Sequence, residues 1–243
     1  MTQLLISVKN QEEALSVQNC DVDILDVKNP DRGALGAADP PELVKIRRLF
    51  PHRTLSFSAG ELKDWVHAGP FESNYPSRIS NHFGFIKVGL EGCLRLNRWQ
   101  ETLTDFWKSI PKESSPVAVG YFDHRSCQAP ELNQVVELAE SFPACQTVLM
   151  DTFEKSKSLF DWIEPSELKK MVSRCHRKNL QCVVAGSIRF DTLDPVLASG
   201  TDVIAVRGMI CNDNDRATLS SDLVRQLSLH LKNQSGTKTF TVD

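Results

Sequence analysis

Residues 4–50 read LLISVKNQEEALSVQNCDVDILDVKNPDRGALGAADPPELVKIRRLF. The segment opens on an apolar run, Leu4 to Val8, passes through helical spacing from Gln11 to Gln18, and returns to a second apolar run, Asp23 to Val27. A polar, glycine-bearing loop, Asn29 to Pro40, then leads into another helical stretch, Pro40 to Phe50. Strand, helix, strand, helix in this order means parallel strands joined by right-handed crossovers, because a tight hairpin cannot join parallel neighbours.

The alternation continues to the end of the chain. Further strand runs are Thr54 to Ser58, Phe85 to Gly89, Val117 to Tyr121, Thr147 to Asp151, Gln181 to Ala185 and Asp202 to Val206. Helical spacing fills Tyr75 to His82, Leu96 to Ser109, Pro130 to Ser141, Pro165 to Lys178, Asp191 to Ser199 and Ala217 to Lys232. Asp39-Pro40, Ala129-Pro130 and Glu164-Pro165 supply helix starts, since the fixed φ of proline suits a first turn. Eight such units in one domain-sized chain predict an α/β protein, a single-domain (β/α)8 TIM barrel, with an open doubly wound sheet as the alternative. No G-x-G-x-x-G follows the first strand and no Walker A motif occurs, which removes the best sequence reasons for a nucleotide-binding sheet. The barrel is expected to span residues 1–232, with a longer loop from Gly60 to Arg78 and a polar, frayed tail at 233–243.

Composition narrows the function. The 243 residues are 41% hydrophobic, 24% charged and 7% aromatic, which excludes disordered, collagen-like and coiled-coil chains. Lys+Arg 28 against Asp+Glu 31 gives a net charge of -3, so no overall basic field exists to hold a nucleic acid. No apolar stretch reaches the roughly 18–20 residues of a spanning helix, and the N-terminus lacks the pattern of a leader, so a cytoplasmic protein without a membrane partner is expected. Seven dispersed cysteines without a C-x-x-C pair read as free thiols of a reducing compartment. Cys175 and His176 are adjacent, but neighbours on a helix point in different directions. The six histidines show no H-x-x-x-H spacing, which argues against a metal site. A small phosphorylated molecule is the expected partner, and a homo-oligomer stays open.

Barrel active sites form where strands end, and the charged residues sit there. DILDVKNP, Asp23 to Pro30, puts Asp26 and Lys28 two apart on one face of a strand, with Cα atoms roughly 6.6 Å apart. FIKVGLEG places Lys87 between Ile86 and Val88, an expensive position unless the ammonium faces a wet cavity or a partner. TVLMDTFEK ends its strand at Asp151, with Lys155 shortly after. These belong to even-numbered strands, which fill shared layers of a barrel, so the three lysines and two aspartates are expected in one pocket. Taken singly, each charge also reads as a strand end meeting solvent.

A lysine in a partly dry pocket among other cations loses its proton more readily. The free amine can attack a carbonyl and form a Schiff base, while nearby carboxylates orient it or move protons. The last two strands end in AGSI, with Gly186 and Ser187, and VRG, with Arg207 and Gly208. Small-residue turns opening helices suit phosphate oxygens, and barrels often place a phosphate after strands seven and eight; plain strand-to-helix turns are the other reading. Arg32, Gly33 and Gly36 lie on the loop after Lys28, which either closes over a second phosphorylated group or is an ordinary connection. Tyr121, Asp123 and His124 follow the fifth strand as weaker candidates, and the four tryptophans read as packing residues.

The motifs DILDVKNPDRGALGA, IKVGL, MDTFEKSKSLFDW, AGSI and VRG, spread from Asp23 to Gly208, closely resemble those of the (5-formylfuran-3-yl)methyl phosphate synthase family, also called 4-(hydroxymethyl)-2-furancarboxaldehyde-phosphate synthase. The resemblance implies a (β/α)8 lyase of methanofuran-type one-carbon cofactor biosynthesis. It would condense two glyceraldehyde 3-phosphate molecules without a metal or redox cofactor. By resemblance, Lys28 is the Schiff-base residue and Lys87 the proton-transfer residue, and Asp26, Asp151 and Lys155 match further polar positions. The stretch after Lys155 is one residue shorter than the family pattern, so Lys157 competes for the Lys155 role. A class I aldolase with the same lysine, or a non-catalytic phosphometabolite-binding barrel, are the alternatives.

Overall fold

The computed structural model describes residues 2–66, 75, 83–212 and 218–236. Eight parallel strands close into a barrel in chain order: β1 (Gln3–Val8), β2 (Ile24–Val27), β3 (Thr54–Glu61), β4 (Phe85–Gly89), β5 (Ser115–Tyr121), β6 (Thr147–Asp151), β7 (Gln181–Val184) and β8 (Val203–Val206). The seam is made by β1 and β8, with Gln3 opposite Val203 and Ile6 opposite Val206. Each strand feeds a helix: α1 (Gln11–Ser16), α2 (Pro40–Leu49), α3 (Leu62–Trp65), α4 (Trp99–Ser109), α5 (Leu132–Ser141), α6 (Pro165–Arg177), α7 (Leu193–Ala198) and α8 (Ser221–Gly236).

The helices follow their local chemistry. Asn10 caps α1 by accepting from the Glu13 amide, and Pro165 opens α6, whose last turn carries Arg174, His176 and Arg177 against the negative helix end. Leu168, Val172 and Cys175, spaced four and three apart, form the stripe that α6 buries on the barrel. Inside the barrel, Leu5, Ile24, Phe85, Val117, Leu149 and Val203 surround an apolar interior beneath the charged mouth.

Several boundaries differ from expectation. Helix α5 begins at Leu132 rather than Pro130, because Glu131, the residue after the proline, forms a reciprocal capping box with Gln134. Helix α4 begins at Trp99 rather than Leu96, after Arg98 in a left-handed conformation at φ 63°. Helix α7 is shortened by a 3-10 turn, Phe190–Thr192. Strand β3 runs on through Gly60 and Glu61, where a loop is expected, and α3 follows at once. Gly60 at φ 89° accommodates the register shift between Ser58 and Glu61 that makes this extension possible. The expected helix Tyr75 to His82 lies outside the described residues apart from Tyr75. At the C-terminus α8 continues past 232 to Gly236, and 237–243 lie outside the described residues. No helix among the described residues is long and apolar enough to cross a membrane.

Candidate active site

Asp26, next to last in β2, points into the barrel, with Ser7 of β1 and Ser56 of β3 beside it in register. Its carboxylate accepts from Ser56 Oγ at 2.6 Å, Ser7 Oγ at 3.1 Å and Lys87 Nζ at 2.5 Å. Burial pushes this carboxyl up, but the ammonium groups of Lys87 and Lys28 and the hydrogen bonds outweigh it and hold Asp26 below the usual carboxylate range. Lys87, 5% exposed inside an apolar strand, is stable there because it meets this anion.

Across the mouth, Asp151 ends β6 and accepts from Lys155 Nζ and from the Thr152 amide, both at 2.7 Å. Lys155 Nζ also donates to the Thr152 carbonyl. Asp151 is raised by burial and lowered more strongly by Lys155 and Lys28, so it too stays ionised.

Lys28 stands between these pairs. Its main-chain amide continues the β1–β2 ladder to Val8, and Nζ donates to the Ala34 carbonyl at 3.2 Å. Desolvation dominates its electrostatics, Asp151 and Asp26 oppose the loss of charge, and Lys155 and Lys87 assist it; the ammonium is pushed down to about 8. Lys28, Lys87, Lys155, Asp26 and Asp151 all line one cavity, the convergence expected of the even strands. Lys157 lies elsewhere, with its ammonium 4.5 Å from the centre of the Trp162 ring.

The cavity's far wall is the turn after β7. Gly186 and Ser187 both take positive φ, 109° and 48°. A Cβ at Gly186 would lie 2.9 Å from Thr152 Cγ2, so the position needs glycine twice over, for conformation and for space. The amides of Gly186, Ser187 and Ile188 make no hydrogen bond among the described residues, leaving a concave set of donors of the kind that cradles anions. Ser187 Oγ donates to the Lys155 carbonyl at 3.2 Å.

Arg207 also lines the cavity, but its guanidinium grips Glu13 through two bonds of 2.8 and 2.9 Å and the Ser7 carbonyl at 3.0 Å. It ties the end of β8 to α1 across the barrel seam. Arg32 is exposed, pairs with Asp39 and donates to Ala37, and its loop folds back so tightly that a Cβ on Gly36 would overlap the Asn29 carbonyl. Asp123 holds the neighbouring loop, accepting from the amides of Phe153 and Glu154 at 2.7 and 2.8 Å. His124 sits in the turn after β5, its amide bonded to the Tyr121 carbonyl.

Sequence reasoning missed two participants, Ser7 and Ser56, and one perturbed carboxyl outside the cavity, Glu61. Ser7 and Ser56 look neutral in their strands, and only the register shows them on either side of Asp26. Glu61, read as a loop residue, ends β3, accepts from Tyr121 Oη at 3.2 Å and from the Glu91 amide at 2.9 Å, and is pushed up to about 7 by burial.

A closed parallel barrel with a lysine–carboxylate cluster at its C-terminal mouth defines a barrel enzyme. The sequence model of 4-HFC-P synthase matches residues 4–228, and the chain belongs to that family. The (5-formylfuran-3-yl)methyl phosphate synthase of Methanothermobacter thermautotrophicus is 31% identical over 229 residues, covering 92% of this chain and 96% of the relative. That of Methanobrevibacter smithii is 32% identical over 225 residues, covering 88% and 92%. Among solved structures, phosphoribosyl anthranilate isomerase from Thermus thermophilus aligns with a TM-score of 0.61 at 13% identity, covering 96% of this chain and 100% of that one. The 3-hexulose-6-phosphate synthase of Salmonella typhimurium aligns at 0.60 and 18% identity, covering 94% and 99%. These two likenesses establish the barrel fold alone.

Proposed function

We propose that the enzyme condenses two molecules of glyceraldehyde 3-phosphate into (5-formylfuran-3-yl)methyl phosphate, with loss of one phosphate and two waters, through a Schiff base on Lys28. The observation that carries this reading is the Lys28 amine, half-buried between two lysine–carboxylate pairs and pushed down to about 8. At pH 7.5 about a quarter of such amines are uncharged, against roughly one in a thousand for an ordinary lysine.

One triose phosphate isomerises to the ketone form, and the free Lys28 amine attacks the aldehyde carbon of the other. Water leaves to give the imine, loss of the neighbouring C–H proton and then of the phosphate gives an enol conjugated with the imine, and the terminal carbon of that enol adds to the ketone carbon of the first triose. Lys87, bonded to Asp26, passes protons on the inner side, and Lys155, bonded to Asp151, on the outer side. Dehydration of the adduct, ring closure by the remaining hydroxyl of the ketone-derived triose, loss of a further water and hydrolysis of the imine complete the furan and free Lys28. Gly186, Ser187 and Gly208 supply amides for the phosphate of the imine-bound triose, and Arg207 holds the wall in place. The relatives' names support the product, and the resemblance places the reaction in methanofuran-type cofactor biosynthesis. Seven buried cysteines without disulfides suit a cytoplasmic setting.

Borohydride reduction in the presence of glyceraldehyde 3-phosphate, followed by peptide mass mapping, is expected to attach substrate carbon to Lys28. Lys28→Ala is expected to fold normally and to lose turnover, read by the ultraviolet absorbance of the furan aldehyde. Full activity in that variant refutes the assignment. Trapping with a product that lacks the absorbance assigns an aldolase instead, and triose phosphate binding without trapping assigns a binding protein.

A further inference from the structure

Beside the lysine cavity lies a second, larger one. Its volume is about 310 Å3, against about 40 Å3 for the inner cavity. The two share a wall made of Lys155, Ser187, Ile188 and Gly208. The outer cavity adds Lys157 and Arg189, with the hydroxyls of Ser156 and Ser158, and no carboxylate lines it among the described residues. Lys157 is held by its stacking over Trp162, and Arg189 by Asp191, so both cations are positioned on the rim.

We propose that this outer cavity is a second phosphate subsite, in which Lys157 and Arg189 hold the phosphate monoester of the ketose phosphate that condenses with the Lys28-bound triose. The inference rests on the furan-synthase reading for its substrate. A condensation of two phosphorylated trioses needs two anion sites within reach of one amine. The inner cavity is the smaller of the two and holds the Lys28 amine, so it falls to the imine-bound ester. The shared wall offers the open amides of Ser187 and Ile188 to either side, and cations with hydroxyls and no carboxylate select a dianion. This assigns Lys157 to substrate binding and leaves Lys155 in the amine cluster.

The test is the double variant Lys157→Gln/Arg189→Gln in the full chain. The KM for glyceraldehyde 3-phosphate is expected to rise at least about tenfold, the loss of charge-assisted contacts to a phosphate. Borohydride trapping of glyceraldehyde 3-phosphate carbon on Lys28 at saturating substrate should be unchanged, and the charge-keeping pair Lys157→Arg/Arg189→Lys should restore KM. Calorimetric titration with inorganic phosphate should count two sites in the wild type and one in the neutral variant. An unchanged KM, or a single phosphate site in the wild type, overturns the subsite. Trapping lost together with turnover also overturns it, because the cavity would then serve the imine-bound ester. A wild type that makes no furan sinks the reaction, while a fall from two phosphate sites to one still supports the subsite.

Discussion

Two lysine–carboxylate pairs flank Lys28, and they are built differently. In the inner pair, Asp26 and Lys87 expose 1% and 6% of their side chains, and the carboxylate is held by donors from three other strands, Ser7, Ser56 and Lys87. In the outer pair, Asp151 and Lys155 expose 4% and 23%, and both the bonded amide and the ammonium come from the loop that continues the strand. A dry ion pair needs its remaining hydrogen-bonding capacity met, which only the folded barrel can supply, whereas a rim pair tolerates local partners and water. The inner pair fixes the field at Lys28. The outer pair rests on local partners at the rim.

The largest break in this contrast comes from Asp26→Ala, which strands the Lys87 ammonium in the interior. It should cost about 3–5 kcal/mol in urea unfolding, and Asp26→Ala/Lys87→Met should recover most of it. A loss below about 1 kcal/mol for the single variant would erase the distinction between the pairs.

The next effect is on pH dependence. With Lys28 at about 8, kcat/KM should rise about 50-fold from pH 6 to pH 8 as the amine loses its proton. Lys155→Met removes a like charge and frees Asp151, so this limb should move to higher pH. Asp26→Asn removes an opposing carboxylate, so it should move lower, and parallel shifts would break the comparison.

Glu61 sharpens the contrast from a third position, because its partners are a tyrosine hydroxyl and an amide, and its carboxyl is pushed up rather than down. A raised carboxyl gives stability that is fully present below the unfolded value near 4.5 and is lost as pH rises through about 7. Glu61→Gln should therefore stabilise the protein by about 2 kcal/mol at pH 8 and have little effect at pH 4, read as the difference between the two denaturation curves.

The smallest effect expected is on stability in Lys155→Met. The Thr152 amide remains on Asp151 and solvent reaches the rim, so about 1 kcal/mol is expected, although turnover falls much further. A loss as large as that of Asp26→Ala would show the outer pair to be equally fixed.

The alternation of apolar runs and helical stretches made the barrel legible, because parallel strands buried on both faces leave continuous hydrophobic segments. Lys87 stood out because Ile86 and Val88 enclose it, and Asp26 and Lys28 because their spacing is that of a strand face. Ser7 and Ser56 did not stand out, since their importance comes from lying in register on either side of Asp26. Glu61 was hidden by the irregularity at Gly60, which lets β3 continue through residues that read as loop. Arg207 looked like an anion contact because nothing local pairs it; its partner Glu13 is 194 positions away in the chain. At α5, Pro130 signalled a start that the capping box moved to Leu132.

The clamp made by Asp123 carries a further consequence. That carboxylate belongs to the turn after β5, yet it grips the amides of Phe153 and Glu154, next to Lys155 on the following loop. The address of the rim lysine is therefore written partly on the adjoining stave of the barrel. Substitutions around Asp123 offer a way to retune the chemistry from a residue that lines neither cavity.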